Sequence, residues 1–236
     1  MKFALAASRF VNGDLAFNLS QIERGMEAAA GEGAALLCFG EAFLQGFDAF
    51  CWRYAADREV AVPRDGAVMR QLCALTARYG VGLLVGYLER DGEALYSSCA
   101  VMDGGVLIHN YRRVSRGWKE FTRTDEHYRE GGDTRAFSFR GRRLQVALCG
   151  DLWDCPARFR TEHLLLWPVY VDVTPGEWAD AEAEYAAQAA LAAPQVLMVN
   201  ALSDAPRSWG GAYYFAGGKT AARLPLGQEG ILYVDL

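Results

Sequence analysis

Hydrophobic stretches that are typical of buried strands alternate with helical patterns along most of the chain. Leu15, Leu19, Ile22 and Met26 recur at intervals of three and four residues, which predicts an amphipathic helix. A second helical pattern ends at Gly80, a residue type that commonly terminates helices. Helices are predicted over 15–30, 68–79 and 178–193, and strands over 2–8, 34–39, 81–88, 164–169 and 196–201.

Two segments in the middle of the chain are typical of β-hairpins. The first joins 97–102 to 106–114, and the second joins 136–139 to 144–148. One parallel sheet explains the alternating strands and helices but not the hairpins, whereas two mixed sheets with helices on their outer faces explain both. We therefore predict an α/β fold, a four-layer α-β-β-α sandwich of two mixed sheets, in a single domain over 1–236.

Composition and charge narrow the range of partners. The 236 residues are 52% hydrophobic, enough for a large core, and carry a formal net charge of −5. The densest basic stretch, 112–123, is short and interrupted by acidic and aromatic residues, which disfavours nucleic acid as a partner. No window reaches the roughly 18 consecutive apolar residues of a membrane helix, and 1–10 is typical of a strand rather than a signal peptide. We expect no nucleic acid, no membrane and a cytoplasmic location.

The cysteines and glycines indicate neither a metal nor a cofactor. The six cysteines are scattered without the spacing of metal ligands and are typical of reduced cytosolic thiols. Gly217-Gly218-Lys219-Thr220 is similar to the end of a phosphate-binding loop but lacks the upstream glycine, so we interpret it as a turn. No cofactor and no metal site are predicted.

Two reactive side chains follow buried strands directly. Glu41 comes after 34–39 and Cys149 after 144–148, at strand ends where α/β sheets bind ligands. Taken alone, Glu41 is more readily interpreted as a surface residue, and Cys149 as an inert core thiol. None of the three histidines stands in a Cys–His motif, which favours a carboxylate as the base for Cys149.

In combination, these segments resemble the motifs of the nitrilase superfamily of carbon–nitrogen hydrolases over nearly the whole chain. Segment 39–47 (FGEAFLQGF) resembles the glutamate motif, 111–113 (YRR) the Tyr-Arg-Lys motif and 148–153 (LCGDLW) the cysteine motif. Shorter similarities occur at 95–98, 167–168 and 199–200. The resemblance implies that Glu41, Arg113 and Cys149 act together, each at the end of a strand.

The resemblance also implies a mechanism. Glu41 takes the proton of Cys149, the thiolate attacks an amide or nitrile carbon, and a cation holds the oxyanion. Glu41 then protonates the leaving ammonia or amine, and water hydrolyses the thioester. Because a nearby base favours the thiolate, we expect Cys149 to be the most readily alkylated of the six thiols.

The sequence departs from the family pattern at the cation. Arg113 stands where the family has Lys, and a planar guanidinium does not simply replace a compact ammonium. Lys119 is a second candidate for the cation, with a solvated loop lysine as the plainer interpretation. Glu126 resembles the family's second glutamate, which helps to position the catalytic groups, and Glu120 and Asp125 are its rivals. Asp151 and Trp153 are further candidates to line the pocket.

Three functions are compatible with these residues. The leading hypothesis is hydrolysis of a small carboxamide or N-carbamoyl compound through a thioester on Cys149. A catalytically impaired relative that binds a ligand or partner is an alternative, because Lys has become Arg at 113. An acyltransferase, in which an amine or alcohol replaces water at the thioester, is the third. The resemblance further implies a homodimer and a small-molecule amide substrate.

Overall fold

The structure is a computed structural model that describes residues 1–236. It contains five α-helices and fifteen strands. The helices are α1 (Leu15–Gly31), α2 (Tyr54–Val60), α3 (Ala67–Tyr79), α4 (Asp151–Asp154) and α5 (Pro175–Ala190). The strands are β1 (Lys2–Ala7), β2 (Leu36–Cys38), β3 (Val62–Pro63), β4 (Gly82–Asp91), β5 (Ala94–Asp103), β6 (Val106–Arg112), β7 (Phe137–Phe139), β8 (Arg142–Val146), β9 (Leu164–Val169), β10 (Gln195–Asn200), β11 (Leu202–Asp204), β12 (Arg207–Trp209), β13 (Ala212–Ala216), β14 (Lys219–Leu224) and β15 (Gly230–Asp235).

The two large sheets are organised in the same way. The first runs β15-β1-β2-β4-β5-β6, with β3 paired to β4, and the second runs β14-β13-β10-β9-β8-β7. In each sheet three parallel strands lie at the centre, β1-β2-β4 and β10-β9-β8, and antiparallel strands flank them. Both sheets are therefore mixed, as the central hairpins predicted.

Side-chain alternation along β1 shows how the layers stack. Phe3 and Leu5 pack into a buried cluster together with residues of the second sheet. Ala4 and Ala6 point to the opposite face, where residues of α1 and α3 cover them. Helix α5 contacts the second sheet through β10, β13 and β14. The predicted four-layer α-β-β-α sandwich of two mixed sheets is confirmed.

Differences from the predicted elements have local causes. Helix α5 begins at Pro175, three residues before the predicted start, because Thr174 and Glu177 form a reciprocal capping box at its N-terminus. Strand β5 begins at Ala94 and pairs with β4 along nearly its whole length, which was not predicted, although Asp91-Gly92 at the turn is a hairpin signal. The helix α2 and the small β11–β12 hairpin were not predicted.

None of the helices combines the length and the hydrophobicity that crossing a bilayer requires.

The end of β9 connects the two sheets. The Cys149 N–H donates to Pro168 O at 3.0 Å, and the Glu41 N–H donates to Val169 O at 3.1 Å. Two consecutive carbonyl groups of one strand thus fix the backbone of both residues that follow the buried strands. The carboxyl ends of the two sheets meet at this point.

Strand β4 passes directly behind Glu41, and the contact requires a glycine. A Cβ atom on Gly86 would lie 2.4 Å from Gly40 O, 2.5 Å from Ala42 N and 2.7 Å from Glu41 Cα. All three of these atoms belong to backbone, so none moves without displacing the segment that holds Glu41.

The substitution Gly86→Ala should therefore destabilise the protein by about 1–3 kcal/mol, the usual cost of overpacking. Urea denaturation measures this free energy of unfolding. Gly31→Ala at the end of α1 is the matched control, because nothing lies within 4 Å of the added Cβ. Equal stability of the Gly86→Ala variant and the wild type would contradict the close approach of β4.

Candidate active site

Three of the predicted site residues come together between the sheets. Glu41 follows β2 and is 0% exposed, and Arg113 follows β6 and is 3% exposed. Arg113 Nη1 donates to Glu41 Oε1 at 2.9 Å and to Oε2 at 3.2 Å. Cys149 follows the second sheet's β8, close enough for the charges of Glu41 and Arg113 to affect its thiol. Residues that are far apart in sequence thus form one cluster.

Two serines complete the ion pair. The Ser97 hydroxyl donates to Glu41 Oε1 at 2.7 Å, and Arg113 Nε donates to Ser115 Oγ at 2.7 Å. Burial has the largest single effect on Arg113 and lowers its pKa, but the negative charges around it, that of Glu41 first, together outweigh burial and raise the pKa above its ordinary value. Arg113 is therefore a permanent cation that cannot exchange a proton in the pH range of enzymes.

Cys149 adopts a backbone conformation that is rare for a residue with a side chain. Its φ is +43°, in the left-handed region. The Trp167 indole Nε1 donates to Cys149 O at 2.9 Å, and Cys149 Sγ lies 3.6 Å from Tyr170 O. Strained conformations of this kind persist where surrounding contacts enforce them, and they concentrate at functional sites.

The resting thiol of Cys149 is neutral near pH 7. Part of the residue reaches the surface, but its thiol is surrounded by protein. Burial and then the charge of Glu41 raise the pKa of Cys149 to about 12, and Arg113 lowers it only in part. The expectation that the nearby base favours the free thiolate is wrong, because burial and the carboxylate both penalise a second negative charge.

Asp151 connects the segment after β6 to the segment after β8. Its Oδ1 accepts from the N–H groups of Val114 at 3.1 Å and Ser115 at 2.8 Å. Its Oδ2 accepts from the Leu148 N–H at 2.8 Å and from the Tyr111 hydroxyl. Burial raises the pKa of Asp151, although these hydrogen bonds lower it. This fully buried carboxylate thereby fixes Arg113 and Cys149 relative to each other.

The structure does not bring Glu126 or Lys119 to this cluster. The side chain of Glu126 is exposed on the loop after β6, as are its rivals Glu120 and Asp125. Lys119 is 12% exposed and forms an ion pair with Glu130 at 2.6 Å, so its ammonium is committed to its own loop. The placement of Glu126 beside the other three is therefore corrected: its resemblance to a family motif concerned local sequence, and the loop directs it outward.

Several residues that build the cluster were missed or left open by sequence reasoning. Ser97 and Trp167 lie in short segments that resemble the family, but nothing in the sequence indicated their hydrogen bonds. Nothing in the sequence indicated that Ser115 would contact Arg113.

The structure contains no group of three or more His, Cys, Asp or Glu side chains arranged to hold a metal ion.

Comparison with known proteins identifies the family. The carbon-nitrogen hydrolase family model matches residues 3–154, more than half of the chain, and includes Glu41, Arg113 and Cys149. The chain belongs to the carbon–nitrogen hydrolase family, and the resemblance to the nitrilase superfamily is confirmed.

Individual relatives are distant. An arylacetonitrilase of Aspergillus niger is 28% identical over 109 residues, which are 43% of this chain and 32% of the relative. A nitrilase of Pyrococcus abyssi is 27% identical over 146 residues, 61% of this chain and 53% of the relative. The chain thus spans a third to a half of the length of these relatives. An amidase from Nesterenkonia sp. has the same fold, with a TM-score of 0.81 at 21% identity, covering 100% of this chain and 90% of the other.

The contacts of Asp151 predict a large effect of Asp151→Asn. An amide nitrogen cannot accept the hydrogen bonds that one carboxylate oxygen accepts, so two donors lose their partner. Each unpaired donor should cost about 1–3 kcal/mol in the free energy of unfolding, measured by chemical denaturation. Asp154→Asn, three residues away and exposed, is the control and should be neutral. Equal stability of the two variants would show that Asp151 does not connect these segments.

Proposed function

We propose that this chain hydrolyses the carbon–nitrogen bond of a small carboxamide or N-carbamoyl compound through a thioester on Cys149. The observation that carries the proposal is the convergence of one carboxylate, one permanent cation and one strained cysteine at the meeting point of the two sheets. Glu41 is the base and acid, Arg113 binds the oxyanion, and Cys149 is the nucleophile.

The geometry supports a balanced sequence of steps. Glu41 accepts the thiol proton as the Cys149 sulfur bonds to the amide carbon, and the carbonyl oxygen becomes an oxyanion. The carbon–nitrogen bond then breaks, and Glu41 returns its proton to the leaving nitrogen. Water, losing a proton to Glu41, attacks the thioester and releases the acid with the thiol restored. Because Arg113 keeps its protons, Glu41 must handle every transfer.

A solved relative supports the role of the cysteine. A variant of the Nesterenkonia amidase carries the acetamide moiety of fluoroacetamide covalently on its active-site cysteine. We infer the corresponding role for Cys149. The curated relatives named nitrilases make nitriles the second compound class to test.

One observation favours the alternative of a catalytically impaired binding module. Arg113 donates to both oxygens of Glu41, and Ser97 donates to one of them, so the carboxylate is well satisfied before any proton arrives. A carboxylate that already accepts three hydrogen bonds has fewer lone pairs left for the thiol proton. If this effect dominates, the site binds amides without turning them over.

The homodimer and the cytoplasmic location stay predictions from the sequence. All six cysteines are free, which fits a reducing compartment.

The cation assignment predicts opposite results for two substitutions. Arg113→Ala should lower the rate of ammonia release from a responsive amide by about 100-fold or more, the usual scale for losing an oxyanion donor. Lys119→Ala should leave it unchanged, because Lys119 is paired with Glu130. The measurement is ammonia release across a panel of small amides, N-carbamoyl compounds and nitriles, with Cys149→Ala as the blank and thermal unfolding as the check on folding.

The same panel distinguishes the alternatives. If ammonia release accelerates when an amine acceptor is added, the protein catalyses acyl transfer. Binding of amides, measured by calorimetry, without ammonia release from any compound would overturn hydrolysis and support the binding module.

A further inference from the structure

One nitrogen of the Arg113 guanidinium has no hydrogen-bond partner in the protein. Its Nε donates to Ser115 and its Nη1 to Glu41, whereas Nη2 donates to no acceptor in the protein. The side chain of Arg113 is only 3% exposed, yet Nη2 is not fully enclosed and retains contact with accessible space. Its two N–H groups are therefore free donors in the site.

Nη2 lies directly over the residue that follows the nucleophile. A Cβ atom on Gly150 would be 2.4 Å from Arg113 Nη2, a separation that real Cβ atoms do not show. The same Cβ would lie 3.5 Å from Arg113 Cζ, an ordinary contact distance. The space above Gly150 is thus occupied by the outermost nitrogen of Arg113.

The backbone gives no reason for a glycine at this position. Gly150 has φ −62° and ψ −10°, a right-handed helical conformation that any residue adopts. Space for the guanidinium is the main remaining requirement, because the next nearest atom, Ser115 Oγ, would lie 3.3 Å from the added Cβ. This differs from Gly86, where a Cβ would meet backbone atoms.

We propose that Gly150 is the positioning residue that allows arginine to serve as the cation of this site. Lacking a side chain, Gly150 lets Nη2 lie beside the nucleophile, with its two N–H groups free for the oxygen of the substrate. A lysine at 113 would end near the position of Cζ, one atom short of this space, and would not need the glycine. Arginine at 113 and glycine at 150 therefore form a matched pair. The role of Nη2 toward substrate rests on the proposed function, whereas the pairing itself rests on geometry.

A double-mutant cycle tests the pairing in a way that does not require turnover. The four proteins are the wild type, Gly150→Ala, Arg113→Lys and the double variant. The readout is the rate of iodoacetamide alkylation of Cys149 as a function of pH, resolved from the other thiols by peptide mapping. Since the charge of Arg113 lowers the pKa of Cys149, displacing the guanidinium raises that pKa and slows alkylation at any fixed pH below it.

In the arginine background, Gly150→Ala should slow alkylation by about tenfold, equivalent to a pKa rise of about one unit. In the Arg113→Lys background, the same substitution should change the rate by less than about twofold, the range expected for independent sites. The added methyl group is present in both backgrounds, so steric hindrance of the reagent cancels from the comparison. Gly117→Ala is the matched control, because its Cβ would lie 3.4 Å from the same Nη2.

Thermal unfolding of all four proteins accompanies the alkylation series. The Gly150→Ala substitution alone should lower the unfolding temperature, and adding Arg113→Lys should restore it. Equal effects of Gly150→Ala in both backgrounds, on rate and on stability, would overturn the pairing. Failure of the proposed function appears separately, as absence of ammonia release in a protein whose cycle still shows coupling.

Discussion

The buried ion pair between Glu41 and Arg113 is the interaction on which the site depends. Two charges taken out of water are unfavourable unless each is paired and hydrogen-bonded, and removing one partner of such a pair costs about 3–5 kcal/mol. Here Ser97 and Ser115 satisfy further polar atoms of the pair. The same contacts that stabilise the charges also set the position of the proposed base and of the proposed cation, so stability and the proposed chemistry are coupled.

Two consecutive arginines at the end of β6 form ion pairs with two different carboxylates. Arg112 pairs with fully buried Glu89, at 2.6 Å, while Arg113 pairs with Glu41. Because successive side chains of a strand point to opposite faces, the two guanidinium groups are directed apart. One face holds an ion pair with no part in the proposed reaction, and the other holds the pair beside the cysteine. Both pairs anchor the same strand.

The fold was predictable from the sequence to the extent that periodicity reports burial. The helix α1 and the strand β9 were located from their hydrophobic patterns, and the two hairpins identified mixed sheets. The pairing of β4 with β5 was missed, although Asp91-Gly92 at their two-residue turn is a local hairpin signal. Boundaries such as the start of α5 depended on a capping box that hydrophobic patterns do not register.

Three members of the candidate site were predictable from the sequence, but the residues that support them and the electrostatics of the site were not. Glu41 and Cys149 stood out because each follows a buried strand, and Arg113 because of its motif. The raised pKa of Cys149 follows from enclosure and from the carboxylate beside it, which are properties of the packed structure. Lys119 and Arg113 likewise differ in partners that sequence distance conceals, since Glu130 pairs with Lys119 and Glu41 with Arg113.

The most direct test of the account is detection of the intermediate itself. A reaction with a responsive amide is stopped with acid at short times, and the intact protein is examined by mass spectrometry with peptide mapping. The account predicts a mass increase equal to the acyl group of that amide, on Cys149 alone, which decays as the acid product forms. An acyl group on another residue, or product formation without any acyl-protein in rapid-quench samples of a slowed Glu41→Gln variant, would contradict it.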